Sequence, residues 1–172
     1  MIAELFDDKN IKPKEKVTRL SNYIIDKKVS VTDVLIYTDK KKETIIASCV
    51  EAFEIVSRTA PQLITKEVIV FVSKTLSAKA PRLKWESAKV LGNSAANYVN
   101  EYKEAIPTLI QLTEYDGTVV RWSAAYAIAS IIQHKSKWQA DLIKLAEHLA
   151  EHEEKGSISK IYKKALKDLQ KK

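Results

Sequence analysis

The segment of this chain best placed to make or break a bond is His148-Leu149-Ala150-Glu151-His152. Histidines four residues apart could share one helix face and hold a zinc ion. A catalytic zinc needs a third protein ligand, and the acids after His152 are only Glu153, Glu154 and Asp168. Glu147, Glu151, Glu153 and Glu154 crowd the pair, which is the pattern of a solvated helix end. No metal site is therefore expected. Other chemistries lack their parts. The three glycines are scattered, so no phosphate-cradling loop exists, and the single cysteine, Cys49, excludes a paired-cysteine zinc site. Cys49 sits in the apolar run Ile45-Ile46-Ala47-Ser48-Cys49-Val50 and reads as a small buried hydrophobe in a reducing compartment. A serine nucleophile would have only His134, His148 and His152 to draw on as bases, none in a recognisable setting. The sequence predicts a non-enzymatic protein with no cofactor.

Binding chemistry is better represented. Lys84-Trp85 and Arg121-Trp122 pair a cation with a large aromatic, and the tryptophans lie 37 residues apart. The neighbourhoods match as well: Arg82 to Gly92 aligns with Val119 to Ala129, small residues and aliphatics falling at the same places. A period of this size is the mark of a stacked helical repeat.

The elements that must carry these residues follow from composition and spacing. With 45% hydrophobic residues among 172, the chain can bury a sizeable core. Three glycines and four prolines are too few for the turns of a β-sandwich, so the fold class is all-α. Val31, Val34 and Leu35, then Cys49, Ala52, Phe53 and Val56, mark two helices of a first repeat over residues 30–60. A second repeat, 61–99, places Val68, Phe71 and Val72 inward, breaks at Lys79-Ala80-Pro81, and buries Leu83, Ser87, Val90, Leu91 and Ser94. The third, 100–135, has a helix from Glu104 to Leu112 with Pro107 in its first turn, then a turn at Tyr115-Asp116-Gly117-Thr118. Its second helix buries Val120, Ala124, Ala127, Ile128 and Ile131. The fourth, with a C-terminal cap, spans 136–172: a helix from Trp138 to Ala150, a break at Lys155-Gly156-Ser157, and a last helix facing inward through Ile161, Ala165, Leu166 and Leu169. Residues 1–29 hold one helix, roughly Lys14 to Asp26, as an N-terminal cap.

The run Asp116-Gly117-Thr118-Val119-Val120-Arg121-Trp122-Ser123-Ala124-Ala125-Tyr126-Ala127-Ile128 resembles the HEAT-repeat motif, with its turn aspartate, valine-arginine and alanine-rich second helix. The resemblance covers roughly Ser30 to Leu169. It implies an armadillo-like α-α superhelix, a right-handed solenoid of about four hairpins behind the N-terminal cap, and a role in binding. Lys79 stands where repeat 2 would have the turn aspartate, and Ile46 and Ser159 stand where repeats 1 and 4 would have the arginine.

In such a solenoid the second helices line the concave side. At ~100° per residue, Trp122, Tyr126, Ala129 and Gln133 lie opposite Val120. The matching positions are Trp85, Lys89, Gly92 and Ala96 in repeat 2, Ala47, Glu51, Glu54 and Arg58 in repeat 1, and Lys160, Lys164, Lys167 and Lys171 in repeat 4. The expected face is acidic at one end, aromatic in the middle and lysine-lined at the other. Gly92, Ala96 and Ala129 would form a floor open to another chain, with Lys84 and Arg121 as cation–π donors beside the tryptophans. Two readings of Trp85 and Trp122 stay open, groove anchor or repeat core. The net charge of +7 is concentrated: from Lys155 onward seven lysines face one acid, Asp168.

A protein or peptide segment bound in the groove is the leading expectation, its apolar residues on Trp85, Trp122 and Tyr126 and its acids toward Lys164 and Lys167. The alternative is nucleic acid held through the Lys-rich last helix, since some repeat proteins resembling this one, the DNA-alkylation-repeat glycosylases among them, bind DNA on a basic concave face. Glu86, the acid nearest the aromatics in sequence, points away from the groove on the helical wheel. No apolar stretch approaches the ~20 residues of a membrane span, and no secretory signal is visible. The protein is expected to be soluble and cytoplasmic.

Overall fold

A computed structural model describes residues 1–171; Lys172, the last residue of the expected fourth repeat, lies outside the described residues. The described residues form ten α-helices: α1 (Ile2–Asp7), α2 (Pro13–Ile25), α3 (Val31–Thr38), α4 (Glu43–Thr59), α5 (Lys66–Thr75), α6 (Pro81–Tyr98), α7 (Ala105–Leu112), α8 (Thr118–Ile131), α9 (Gln139–His152) and α10 (Gly156–Leu169). Short 3-10 turns at Pro61–Leu63 and Val99–Glu101 precede α5 and α7. None of these helices is long and apolar enough to cross a membrane.

Local chemistry sets the helix starts. Pro13 and Pro81 occupy the first positions of α2 and α6, where the missing N–H has no partner to lose. Ser30 and Asp33 form a reciprocal capping box on α3: the Asp33 N–H donates to Ser30 Oγ at 3.0 Å and the Ser30 N–H to Asp33 Oδ2 at 2.9 Å. The Ser30 hydroxyl, which donates to Asp33 Oδ2 at 2.6 Å, and after it the Ser30 N–H hold the Asp33 carboxyl below its ordinary range. The turn at Asp39-Lys40 uses a left-handed backbone at Lys40, φ 55°.

The helices pair into stacked hairpins. The even-numbered helices from α2 to α10 pack in sequence as one layer, and α5, α7 and α9 lie against α6, α8 and α10 as the other. Phe53 and Val56 of α4, Val90 and Leu91 of α6, and Ala127, Ile128 and Ile131 of α8 are wholly buried between the layers. Tyr102, in the turn before α7, is buried too and donates its hydroxyl to the Leu91 carbonyl at 2.6 Å. α8 is apolar nearly all round, because α6, α7 and α10 flank it.

Two expectations are corrected. The N-terminal segment holds a second helix, α1, whose buried Ile2 and Leu5 close the end of the core. The last helix keeps its expected face, with Ala165 buried, but the burial is centred nearer the start of the helix. Ile158, Ser159, Tyr162 and Ala165 are its buried residues, while Ile161 and Leu166 on the flanks of that face and Leu169 near the helix end are half-covered and pack against the core. Ser159 contributes to this turn of α10 by donating to the Ala150 carbonyl at 2.8 Å.

Candidate binding face

The exposed side of the even-numbered helices has two halves of different chemistry. The first, on α4 and α6, is a lattice of ion pairs. Arg82 binds Glu51, Arg58 Nε lies 3.4 Å from Glu54, and Lys89 Nζ lies 2.8 Å from Glu86 and 4.0 Å from Glu54. Three carboxylates meet three cations, so the expected acidic end is neutralised within the fold. Trp85 is half-buried here and donates its ring N–H to Glu86 Oε1 at 2.7 Å. Glu86 therefore turns toward the aromatic, contrary to its helical-wheel position. Burial pushes its carboxyl above the ordinary range, with Lys89 and the Trp85 N–H opposing that shift.

The second half, on α8 and α10, is open. Trp122 is 38% exposed, stacked on Tyr126 with ring centroids 5.7 Å apart and planes 3° from parallel. Beside the pair is a pocket of about 300 Å³, walled by Ala129, Ile161 and Ala165 and rimmed by Lys164 and Asp168. The Gln133 amide donates to the Ala165 carbonyl at 2.9 Å and joins the two helices at its base. Lys164 alone of the expected lysine row reaches this pocket. Lys160 and Lys167 are exposed one turn to either side, and Lys171 pairs with Asp168 at 3.3 Å.

Tyr126 joins the halves. Its hydroxyl donates to Asn93 Oδ1, and Asn93 donates to Ser57 Oγ at 2.9 Å, so one chain of contacts ties α8 to α6 and α4. Its ring lies over Gly92, where a Cβ would stand 2.6 Å from the ring edge and 3.2 Å from the Ala127 backbone. Gly92 is buried by this contact and offers no floor to another chain. Ala96 is exposed and Ala129 half-exposed, so the expected floor survives only in part.

Lys84 and Arg121 do not serve the tryptophans. Lys84 donates to the Leu76 carbonyl at 3.3 Å and stands 5.6 Å from the Tyr115 ring centre. Arg121 donates to the Tyr115 and Asp116 carbonyls at 2.9 and 3.1 Å, and pairs with Glu153 at 3.3 Å. Both are turn clamps: each satisfies carbonyls left open where the preceding helix ends. Glu153 also accepts the Lys155 N–H at 2.9 Å, so Arg121 couples two successive turns. That coupling runs through the Asp116 carbonyl rather than its side chain. Sequence reasoning missed Glu86, Asn93, Ile161 and Asp168; a stripe drawn one residue wider on each helix would have included them.

Elsewhere, the imidazoles of His148 and His152 stack at 4.2 Å, and no group of three metal-binding side chains converges among the described residues. Cys49 is wholly buried, which pushes its thiol up to about 12 and makes it unreactive.

No protein-family model matches the chain, and no curated protein matches it. Solved structures do. An engineered protein superimposes with a TM-score of 0.73 at 16% identity, over 99% of this chain and 78% of its own. A second engineered protein gives 0.71 at 16%, over 95% of this chain and 46% of its own. A designed armadillo repeat protein, in complex with the peptide (KR)4, gives 0.70 at 19%, over 96% and 79%. The chain has the α-solenoid fold of armadillo- and HEAT-type repeat proteins, and at these identities the likeness concerns fold alone.

Proposed function

We propose that this protein is a non-catalytic repeat scaffold that binds a protein or peptide segment across its even-numbered helices, chiefly on α8 and α10. The observation that carries the reading is Trp122: a large aromatic left 38% exposed, stacked on Tyr126 and standing beside an apolar pocket. Such aromatics are the residues most enriched among binding hot spots. The designed armadillo protein bound to (KR)4 offers a precedent for peptide binding on this fold, though with a basic ligand. Here the carboxylates of α4 and α6 already have internal cations, which argues against a basic peptide as the ligand.

The nucleic-acid reading has one observation in its favour, the exposed lysines of α10. Asp168 on the pocket rim and the apolar walls count against phosphate there. The test is selection from a displayed library of random peptides, followed by titration of the selected peptides into wild-type and Trp122→Ala protein. Trp122→Ala should cost more than about 1–2 kcal/mol of binding. Undiminished affinity would remove Trp122 from the site, and binding of an oligonucleotide with a steep salt dependence would favour the nucleic-acid reading.

A further inference from the structure

The geometry points to a defined ligand chemistry for the pocket between α8 and α10: one large apolar side chain from an acidic partner segment, its flanking carboxylates on Lys160, Lys164 and Lys167. This inference rests on the peptide-binding reading and narrows it to one subsite and one charge.

Three observations carry it. First, the pocket suits a side chain. Its volume of about 300 Å³ is at the bottom of the range of small-molecule sites, and its walls are Ala129, Ile161, Ala165 and the Trp122–Tyr126 stack. Second, the cations around it are uncommitted. Among the described residues Lys160, Lys164 and Lys167 have no ion-pair partner, and Asp168 is already held by Lys171 at 3.3 Å. They follow one another at intervals of four and three, so they form a single stripe along α10, with the middle lysine on the pocket rim. Third, the other half of the face is closed to charge. Arg58, Arg82 and Lys89 face Glu51, Glu54 and Glu86, and a basic segment would have to displace an internal cation to find a carboxylate. The uncommitted lysines are therefore local to the apolar pocket between α8 and α10. An acidic segment with an aliphatic or aromatic anchor matches both features, whereas a polyanion without an anchor matches only the lysines.

The same random-peptide selection tests this, with a single-stranded oligothymidylate as a competing probe. The expected enrichment is a large apolar residue within a turn's length of Asp or Glu. Ala129→Leu, which fills the pocket from its half-exposed wall, should weaken the selected peptides by about tenfold or more. Lys164→Glu should weaken them by about tenfold and leave the melting temperature unchanged, since Lys164 is exposed and unpaired. The lysine variant carries the test if Ala129→Leu disturbs folding. Enrichment of Lys/Arg-rich peptides, or indifference of the selected peptides to both variants, overturns the inference. If such peptides still depend on Trp122, the broader reading stands and only the pocket chemistry fails. Oligothymidylate that displaces the peptides and binds more tightly overturns both.

Discussion

Trp85 and Trp122 occupy the same position in successive repeats and have opposite fates. Trp85 is half-buried in a network of ion pairs, its ring N–H on Glu86. Trp122 lies open on Tyr126 beside a pocket. Their helices share a register but differ at the positions beside the tryptophans. One residue after the tryptophan stands Glu86 or Ser123, and four after it Lys89 or Tyr126. Glu86 gives the first indole an acceptor and Lys89 closes the charge. Ser123 turns away to its own helix, donating to the Val119 carbonyl at 2.9 Å, and Tyr126 provides a ring to stack on. One repeat position has thus become a structural joint in the α4–α6 half and an exposed aromatic in the α8–α10 half.

Mutations should separate the halves, and the largest effect is expected at the closed one. Trp85→Ala should destabilise the protein by about 2–3 kcal/mol in urea denaturation, losing aromatic burial and leaving Glu86 without its N–H donor. Trp122→Ala should cost under about 1 kcal/mol on the same scale, since its ring is already partly in water. Equal losses would erase the distinction between the two tryptophans.

At the seam, Gly92→Ala should lower stability by about 1 kcal/mol. The crowding against Tyr126 outweighs the roughly 1 kcal/mol that alanine gains in a helix interior. A stabilised Gly92→Ala protein would mean that the Tyr126 ring moves aside freely, and that the halves are less firmly joined than they look.

The smallest effect belongs to Glu86. Its carboxyl is raised in the folded state by burial, so its contribution to stability is greatest below the unfolded value of 4.5 and declines as pH rises through the folded one. Relative to wild type, Glu86→Gln should therefore become progressively more stable as pH increases from about 4.5. Melting temperatures of the two proteins across that range would show it, and parallel curves would mean that Lys89 and Trp85 fully offset the burial.

Much of the fold is legible along the chain, for a physical reason. Helical burial repeats every three or four residues, so Leu83, Ser87, Val90, Leu91 and Ser94 announce their inward face, and the structure buries all five. The break at Lys79-Ala80-Pro81 and the turn at Tyr115–Thr118 follow from local backbone chemistry and fall at the starts of α6 and α8. The inward face of α10 is legible too, with Ala165 at its centre, but its limits are not, because Ile161 and Leu166 on its flanks are as apolar as the core residue Ile158. With no following hairpin among the described residues to cover one side of α10, its half-covered flank and its core look alike in sequence.

The candidate face divides along the same line. That the aromatics and the lysines lie on second helices is a matter of spacing within each repeat, which the sequence carries by itself. Which cations are already spoken for is a matter of contacts between repeats, and spacing says nothing of it. Arg82 reaches Glu51 across 31 residues, Arg121 reaches Glu153 across 32, and Tyr126 settles over Gly92 on the neighbouring helix. Sequence alone determined the repeat, the helices and their inward faces, because these rest on periodicity and local backbone preference. Only the tertiary structure decided that Lys84 and Arg121 clamp turns, that Trp85 and Glu86 are enclosed with Lys89 among ion pairs, and that the open chemistry lies between α8 and α10, because each depends on how separate elements come together.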